Sequence, residues 1–399
     1  MKRILQRLFL VYAALTLCSS AFAQSKINTL TTKQTAEGWI LLWDGETTFG
    51  WEAHGKAEWM MRDGILMASS GENGWLGTTT PFGDFLLKAS FRTAADGNSG
   101  IFLRCDREGE PHKTGYELQI FDKHKEFKTG SLVNYLKAKP VKTTANVWHT
   151  FEVLASGTHF VIKLDGKKLL DGNDSTHKVG YIGLQYNKGK TIEFRNLLLK
   201  PLGMASLFDG RDLKGWQKVN SPDKSKGLAE WSIKKRAIHV ERGPGQLETE
   251  TTYQDFVLQL DVRTNALNAN HHPNSGVFLR GDPGGFWTGY ESQIRNEYSN
   301  GDRTKPVDFG TGGIYHYQPT RRVIPNDGEF FTKTIVADGR HLSVWINGLQ
   351  VSDFTDVRAE GTNARKEARL KPGTISLQAH DPTTNLEFRN LRVVSLAKR

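Results

Sequence analysis

Asn274-Ser275-Gly276-Val277-Phe278-Leu279-Arg280 repeats, with one conservative change, the stretch Asn98-Ser99-Gly100-Ile101-Phe102-Leu103-Arg104. Sliding one half of the chain over the other extends the match in both directions. Upstream, Trp43-Asp44-Gly45 with Gly50-Trp51 corresponds to Phe208-Asp209-Gly210 with Gly215-Trp216, and Asp84-Phe85 to Asp255-Phe256. Downstream, Thr114-Gly115-Tyr116-Glu117 with Gln119-Ile120 returns as Thr288-Gly289-Tyr290-Glu291 with Gln293-Ile294, and Glu193-Phe194-Arg195-Asn196-Leu197 as Glu387-Phe388-Arg389-Asn390-Leu391. The offset grows from 165 to 194, so the second copy carries loop insertions. Between landmarks the residues alternate with period two and break at turn pairs: Phe160 to Leu164 before Asp165-Gly166, Leu342 to Ile346 before Asn347-Gly348. Such pairs take positive φ at both central residues and close hairpins. Helical periodicity is nearly absent, Val357 to Leu370 being the stretch expected to hold a turn or two. Short strands over 160 to 190 residues per copy predict an all-β chain of two tandem jelly-roll β-sandwiches, 37–200 and 205–396, with Lys200-Pro201-Leu202-Gly203 between them.

The N-terminus bears on location. Lys2, Arg3 and Arg7 precede an apolar run from Leu8 to Leu17 and then Ala21-Phe22-Ala23, the layout of a secretory signal peptide cut after Ala23. The run is about half of the ~20 residues that cross a bilayer, so a periplasmic or secreted protein without a stable membrane anchor is expected. Leu17 is too bulky for a lipidation box ending at Cys18. Removing 23 residues that carry three basic and no acidic groups leaves 376 residues with +7 of the formal +10. Lys and Arg are interspersed with Asp and Glu, which argues for a solvated surface and against a nucleic-acid partner. Cys105 is then the one remaining cysteine, so no internal disulfide forms, and a strand position suits it better than a nucleophile's.

No Walker loop, nucleophile elbow, His-Glu-x-x-His or paired-cysteine motif occurs, which makes triad hydrolases, kinases and zinc proteases poor candidates. What remains is polar residues that alternation places on shared strand faces: Phe278 with Arg280, Glu291 with Gln293, and Gln378 with His380. If these strands line one concave sheet, an Arg, a Glu, two Gln and a His converge on a polar groove suited to sugar hydroxyls. Exposed strand faces are ordinarily polar as well, and Arg–Glu cross-strand pairs are common. His271 and His272 lie in an insertion, Asn268 to Asn274, with no third metal ligand at a recognisable spacing. Trp51, Trp59, Trp216 and Trp231 could stack on sugar rings, but strand-like surroundings assign them to core packing.

These motifs, taken in order with Leu377-Gln378-Ala379-His380-Asp381, resemble the 3-keto-disaccharide hydrolase domain family, which has a concanavalin A-like lectin/glucanase jelly roll; the likeness spans 38–199 and 205–396. It implies cleavage of glycosides oxidised to a ketone at C3. A base removes the acidified C2 proton, the C1 substituent leaves by β-elimination, and water then adds. The resemblance implies Glu291 and His380 as base and acid, in either order, with Arg280 holding the enolate or a hydroxyl. Gln293 and Gln378 orient the ring, and Asn274 and Tyr290 join the binding set, as do Arg104 and Glu117 in the first copy. That copy has Leu184-Gln185-Tyr186-Asn187-Lys188 where the second has His380, so reduced or no activity is expected of it. No cofactor is expected. Calcium would suit a lectin-like sandwich, but no oxygen-ligand loop of defined spacing supports it. A non-catalytic carbohydrate-binding protein is the alternative. An endoglucanase on this fold is weaker, since neither copy shows a Glu-x-Asp-x-x-Glu strand and retaining hydrolysis needs two carboxyl groups about 5 Å apart.

Overall fold

The computed structural model describes residues 27–397 except 224, 226, 269, 362, 364 and 365; the signal-peptide reading of 1–23 lies outside the described residues. The chain is built almost wholly of antiparallel strands. Each copy is a sandwich whose inward-facing residues form one apolar cluster, the first around Trp43, Phe91 and Phe151, the second around Leu258, Val277, Ile335 and Phe388. The expected hairpins are present. Asp165 and Gly166 have φ of 49° and 79°, Asn347 and Gly348 of 48° and 81°, the left-handed conformation that matches strand twist.

The two copies differ in how one strand turns the corner between layers. In the first copy Ile65–Thr78 runs unbroken from one layer to the other, so all its strands join one curled 11-stranded sheet. Its early residues pair with Ile192–Pro201 and its late ones with Tyr181–Tyr186. In the second copy the corresponding stretch is divided into Ala237–Glu241 and Gly245–Thr249. Pro244, lacking an N–H, lies at the break and cannot donate to a ladder there. The result is a separate 8-stranded layer and a 5-stranded layer in the order Trp216–Asn220, Gly245–Thr249, Thr374–Ala379, Ser275–Gly281, Tyr290–Ile294.

The helical turn expected between Val357 and Leu370 does not occur among the described residues there. That segment is irregular, with a single bridge from Glu360 to Ala368. Arg358 is drawn instead into a paired contact with Asp356 (2.6 Å from Nη2) and to the Tyr317 hydroxyl. Side-chain satisfaction there outweighs the good helix propensity of Arg, Glu and Ala.

The copies share a buried contact. Trp345, a second-copy strand residue, is 1% exposed and packs in the first copy's core, where its indole donates to Leu41 O at 3.1 Å. Around it, Gln259 donates to Gly38 O (2.8 Å), Arg321 pairs with Asp44 (2.8 Å), and Asp353 accepts from Thr79 (2.8 Å). Truncating Trp345 to Ala should therefore cost about 3–5 kcal/mol, the range for large aromatic truncations. The expected calorimetric result is one transition moved down for the whole chain; two transitions, with the first copy's unmoved, would show that the copies unfold independently.

Candidate functional site

Within the second copy's 5-stranded layer, alternate residues face away from the core. Leu247, Val277, Leu279, Tyr290, Ile294, Leu377 and Ala379 turn inward; Gln246, Glu248, Gln378, Ser376, Phe278, Glu291 and Gln293 form the opposite face. Register sorts these into two rows. Gln246 pairs with Gln378, and Gly276 with Gln293; in the next row Glu248 pairs with Ser376, Ser376 with Phe278, and Phe278 with Glu291. The floor is tightly enclosed: Gln293, Gln378 and Gln246 are each 1% exposed and Glu291 7%. Gly276 is required here by close approach. A Cβ on it would meet the Glu291 Oε1 at 2.5 Å, so the glycine leaves the space into which the carboxylate leans. The side-chain oxygens of Gln293 and Gln378 are buried without a hydrogen-bond partner, a costly condition that a donor on a ligand or water would relieve.

His380 follows the end of strand Thr374–Ala379. Its Nδ1 lies 2.9 Å from Asp381 Oδ2 and its Nε2 3.5 Å from Asn274 Nδ2. The hydrogen bond from His380 is the main reason that the Asp381 carboxyl is held well below the usual range, with Thr383 adding to it. Asn274 donates to Asp308 Oδ2 (3.2 Å) and accepts from Gln293 Nε2 (3.1 Å); Arg295 lies 3.5 Å from the same Asp308 oxygen. The Trp287 indole stacks on the imidazole with ring centroids 5.5 Å apart and planes 8° apart, and Phe286 stacks on Trp287. Trp287, at φ 52°, is held by the floor: Gln246 accepts from its backbone N (2.8 Å) and donates to Gly285 O (3.0 Å), while Glu248 accepts from Gly284 N (2.8 Å).

Of the sequence-predicted residues, Asn274 contacts both His380 and Gln293, while Gln378 and Glu291 lie on the same side of this layer, Glu291 in the row of Ser376. Arg280 does not lie on that side. A register shift between Phe278 and Gly281, with Arg280 at φ 56°, reverses the alternation. Its guanidinium is fully buried and donates to Gln254 O (2.6 Å), Gly339 O (2.5 Å), Arg369 O (3.0 Å) and Asp255 Oδ1 (3.0 Å). Arg104 repeats the arrangement, at φ 54°, with Gly83 O, Gly157 O, His177 O and Asp84. Tyr290 likewise turns into the core. Its hydroxyl donates to Asp356 at 2.6 Å, and burial and that carboxylate push its ionisation up to about 12. The insertion histidines go separate ways, His271 to Thr383 and His272 to Asp327. Among the described residues no cluster of three or more His, Cys, Asp or Glu could hold a metal ion. Trp51 and Trp216 are buried core residues, and Trp59 and Trp231 pack partly buried against the two cores.

The same face of the first copy is closed. Register places Trp75 where the second copy has Gln246, and Gly77 and Gly183 where it has Glu248 and Ser376. A Cβ on Gly77 would collide with the Trp75 ring and one on Gly183 would meet it at 2.7 Å, because the indole lies across both glycines, stacked on His54. Glu117 stands near this plug, and burial raises its carboxyl to about 7 despite a hydrogen bond from Gln185.

Gln246, Glu248, Trp287 and Asp308 were not singled out from the sequence. The first two had a signal: Gly245-Gln246-Leu247-Glu248-Thr249 matches Gly74-Trp75-Leu76-Gly77-Thr78 with both outward residues changed. Asp308 sits in an inserted loop at φ 49° and carries no comparable mark.

The profile of the 3-keto-alpha-glucoside-1,2-lyase-like domain matches residues 38–200 and again 203–394. The chain thus belongs to that family, with two copies of its domain. A 3-keto-disaccharide hydrolase from Bacteroides thetaiotaomicron is 27% identical over 112 residues, covering 25% of this chain and 39% of that protein. Among solved structures, a candidate glycosyl hydrolase from Parabacteroides distasonis is 22% identical with a TM-score of 0.41, covering 44% of this chain and all of that one. The carbohydrate-binding module CBM66 from Bacillus subtilis is 22% identical with a TM-score of 0.31, covering 38% and 95%.

Replacing Arg280 with Met should leave its four acceptors, the buried Arg369 O among them, without their donor and cost about 3–5 kcal/mol, and Arg104→Met should cost as much. Urea denaturation measures both; a stable Arg280 variant that loses ligand binding would return the residue to the groove. Gly276→Ala should instead displace the Glu291 carboxylate with little loss of stability, read as at least tenfold weaker turnover or sugar binding.

Proposed function

We propose that the second copy cleaves 3-keto-glycosides by β-elimination, with Glu291 as base and His380 as acid. The observation that carries this reading is the placing, on one face, of the Glu291 carboxyl group over Gly276 and of an imidazole whose Nδ1 is bound by Asp381. The Asp381 carboxylate at Nδ1 fixes the ring so that Nε2 faces Asn274 on the groove side. In the balanced step, Glu291 takes the proton from C2, the C–H pair becomes the C1=C2 bond, and the C1–O bond breaks. His380 supplies the proton to the departing oxygen. Addition of water across C1=C2 then gives the 3-keto sugar, so the net change is hydrolysis and no redox partner is consumed. With Arg280 committed elsewhere, the donors for the C3 oxygen as it gains enolate charge are the amides of Gln378 and Asn274. Trp287, stacked on the imidazole and on Phe286, forms an aromatic wall beside His380.

The family membership and the Bacteroides relative support the substrate class, and an exported location suits a protein that meets free oligosaccharides. The first copy, plugged by Trp75 and without the histidine, serves as support and not as a second active centre. Incubating the whole chain with a 3-keto-glucoside should release 3-keto-glucose. Glu291→Gln and His380→Ala should each lower kcat by about 10²–10⁴-fold, the scale of general acid–base catalysis, while Glu117→Gln changes little. Sugar binding without product release in the unaltered protein would favour a lectin-like role and overturn the catalytic one.

A further inference from the structure

Lys333 is a fully buried lysine with no surface exposure, in strand Phe331–Asp338 of the layer opposite the site. Its Nζ crosses the core and donates to Ser292 O (3.1 Å) and Gln293 O (2.8 Å), the two residues that follow Glu291. Beside it in its own layer stand Leu260 and Ile346, both apolar. The charge that acts on it from the floor is Glu291, whose attraction partly offsets the burial that brings Lys333 down to about 7. On the groove side, Glu248 stands in the row of Glu291, and further along the same face come Asp308 with Arg295, bonded to Gln293, and His380 with Asp381. Register supplies a natural comparison: Leu260 pairs with Lys333 as Ala89 pairs with Phe151. Under Glu117, then, the cation is replaced by a phenyl ring, and that carboxyl rises to about 7 through burial.

We propose that Lys333 is a positioning residue that holds Glu291 in its carboxylate form from beneath the sheet, and that Phe151 marks the loss of this device in the first copy. The claim rests on the reading of Glu291 as the base, and its physical source is Coulomb attraction through a dry core, where screening is weak. Two carbonyl acceptors alone would not require a cation: they belong to a strand that also receives backbone donors from the 311–315 segment, with Gly312 N on Gln293 O and Tyr315 N on Glu291 O. A buried lysine is an expensive way to cap them.

The test is Lys333→Met in the whole chain. Methionine fits the apolar surroundings, so folding is expected to survive and stability to rise at neutral pH. In the unaltered protein stability should climb as pH rises from about 7 toward 10, because the unfolded chain keeps a lysine proton that the folded one has released; the variant should lose this slope. Side-chain carboxyl NMR, assigned with Glu291→Gln, should show the Glu291 titration moved up by one unit or more. The acid limb of kcat/KM should follow it, with at least a tenfold loss below that limb, recovery at higher pH, and KM little altered. An unmoved Glu291 titration would overturn the proposal and leave Lys333 a structural cap. A shifted titration in a protein that never turns over a 3-keto-glucoside would uphold the coupling and reject the catalytic reading instead.

Discussion

The buried guanidinium of Arg280 is the constraint around which the second sandwich is organised. It holds the carbonyls before strand Phe256–Thr264, at the turn after Phe331–Asp338, and before strand Thr374–Ala379, and it pairs with Asp255. One side chain thereby ties the ends of both layers at the pole away from His380. To reach them, the strand must adopt a left-handed residue and slip its register. That slip leaves Gly276 and Phe278 facing outward while the strand end turns in. The same device in the first copy, through Arg104, serves a sandwich with a different outer face. Its recurrence therefore follows the scaffold, not the site.

On that scaffold the floor works by mutual restraint. Gln246 and Glu248 spend their hydrogen bonds on loop 284–287, which sets the Trp287 ring against His380. Asn274, Gln293 and Asp308 brace one another on the imidazole's other side. The His380 ring is thus held on both sides by neighbours that are themselves hydrogen-bonded to the floor or to an adjoining loop, which limits the reorganisation a reaction would require.

Period-two alternation and the paired motifs made the strands, the hairpins and the two-sandwich plan legible, because core burial enforces that pattern directly. Alternation also grouped Glu291 with Gln293 and Gln378 with His380 correctly. It misplaced Arg280 because a bulge inverts the face without changing the order of residues, and it could not show that Tyr290 points inward to Asp356. The loop contributions of Trp287 and Asp308 depend on positive-φ backbone and long-range contacts, which leave no periodic trace. Val357 to Leu370 illustrates the reverse: a local helical composition yielded to Arg358's contacts with Asp356 and Tyr317.

The indole lying across Gly77 and Gly183 has an evolutionary consequence for the first copy. The ring fits only because both backbones beneath it are bare. Enlarging either glycine collides with the tryptophan, and shrinking the tryptophan opens an unsupported void. The changes that would give this face a polar floor are therefore coupled, since a side chain at either glycine fits only once the ring has been replaced.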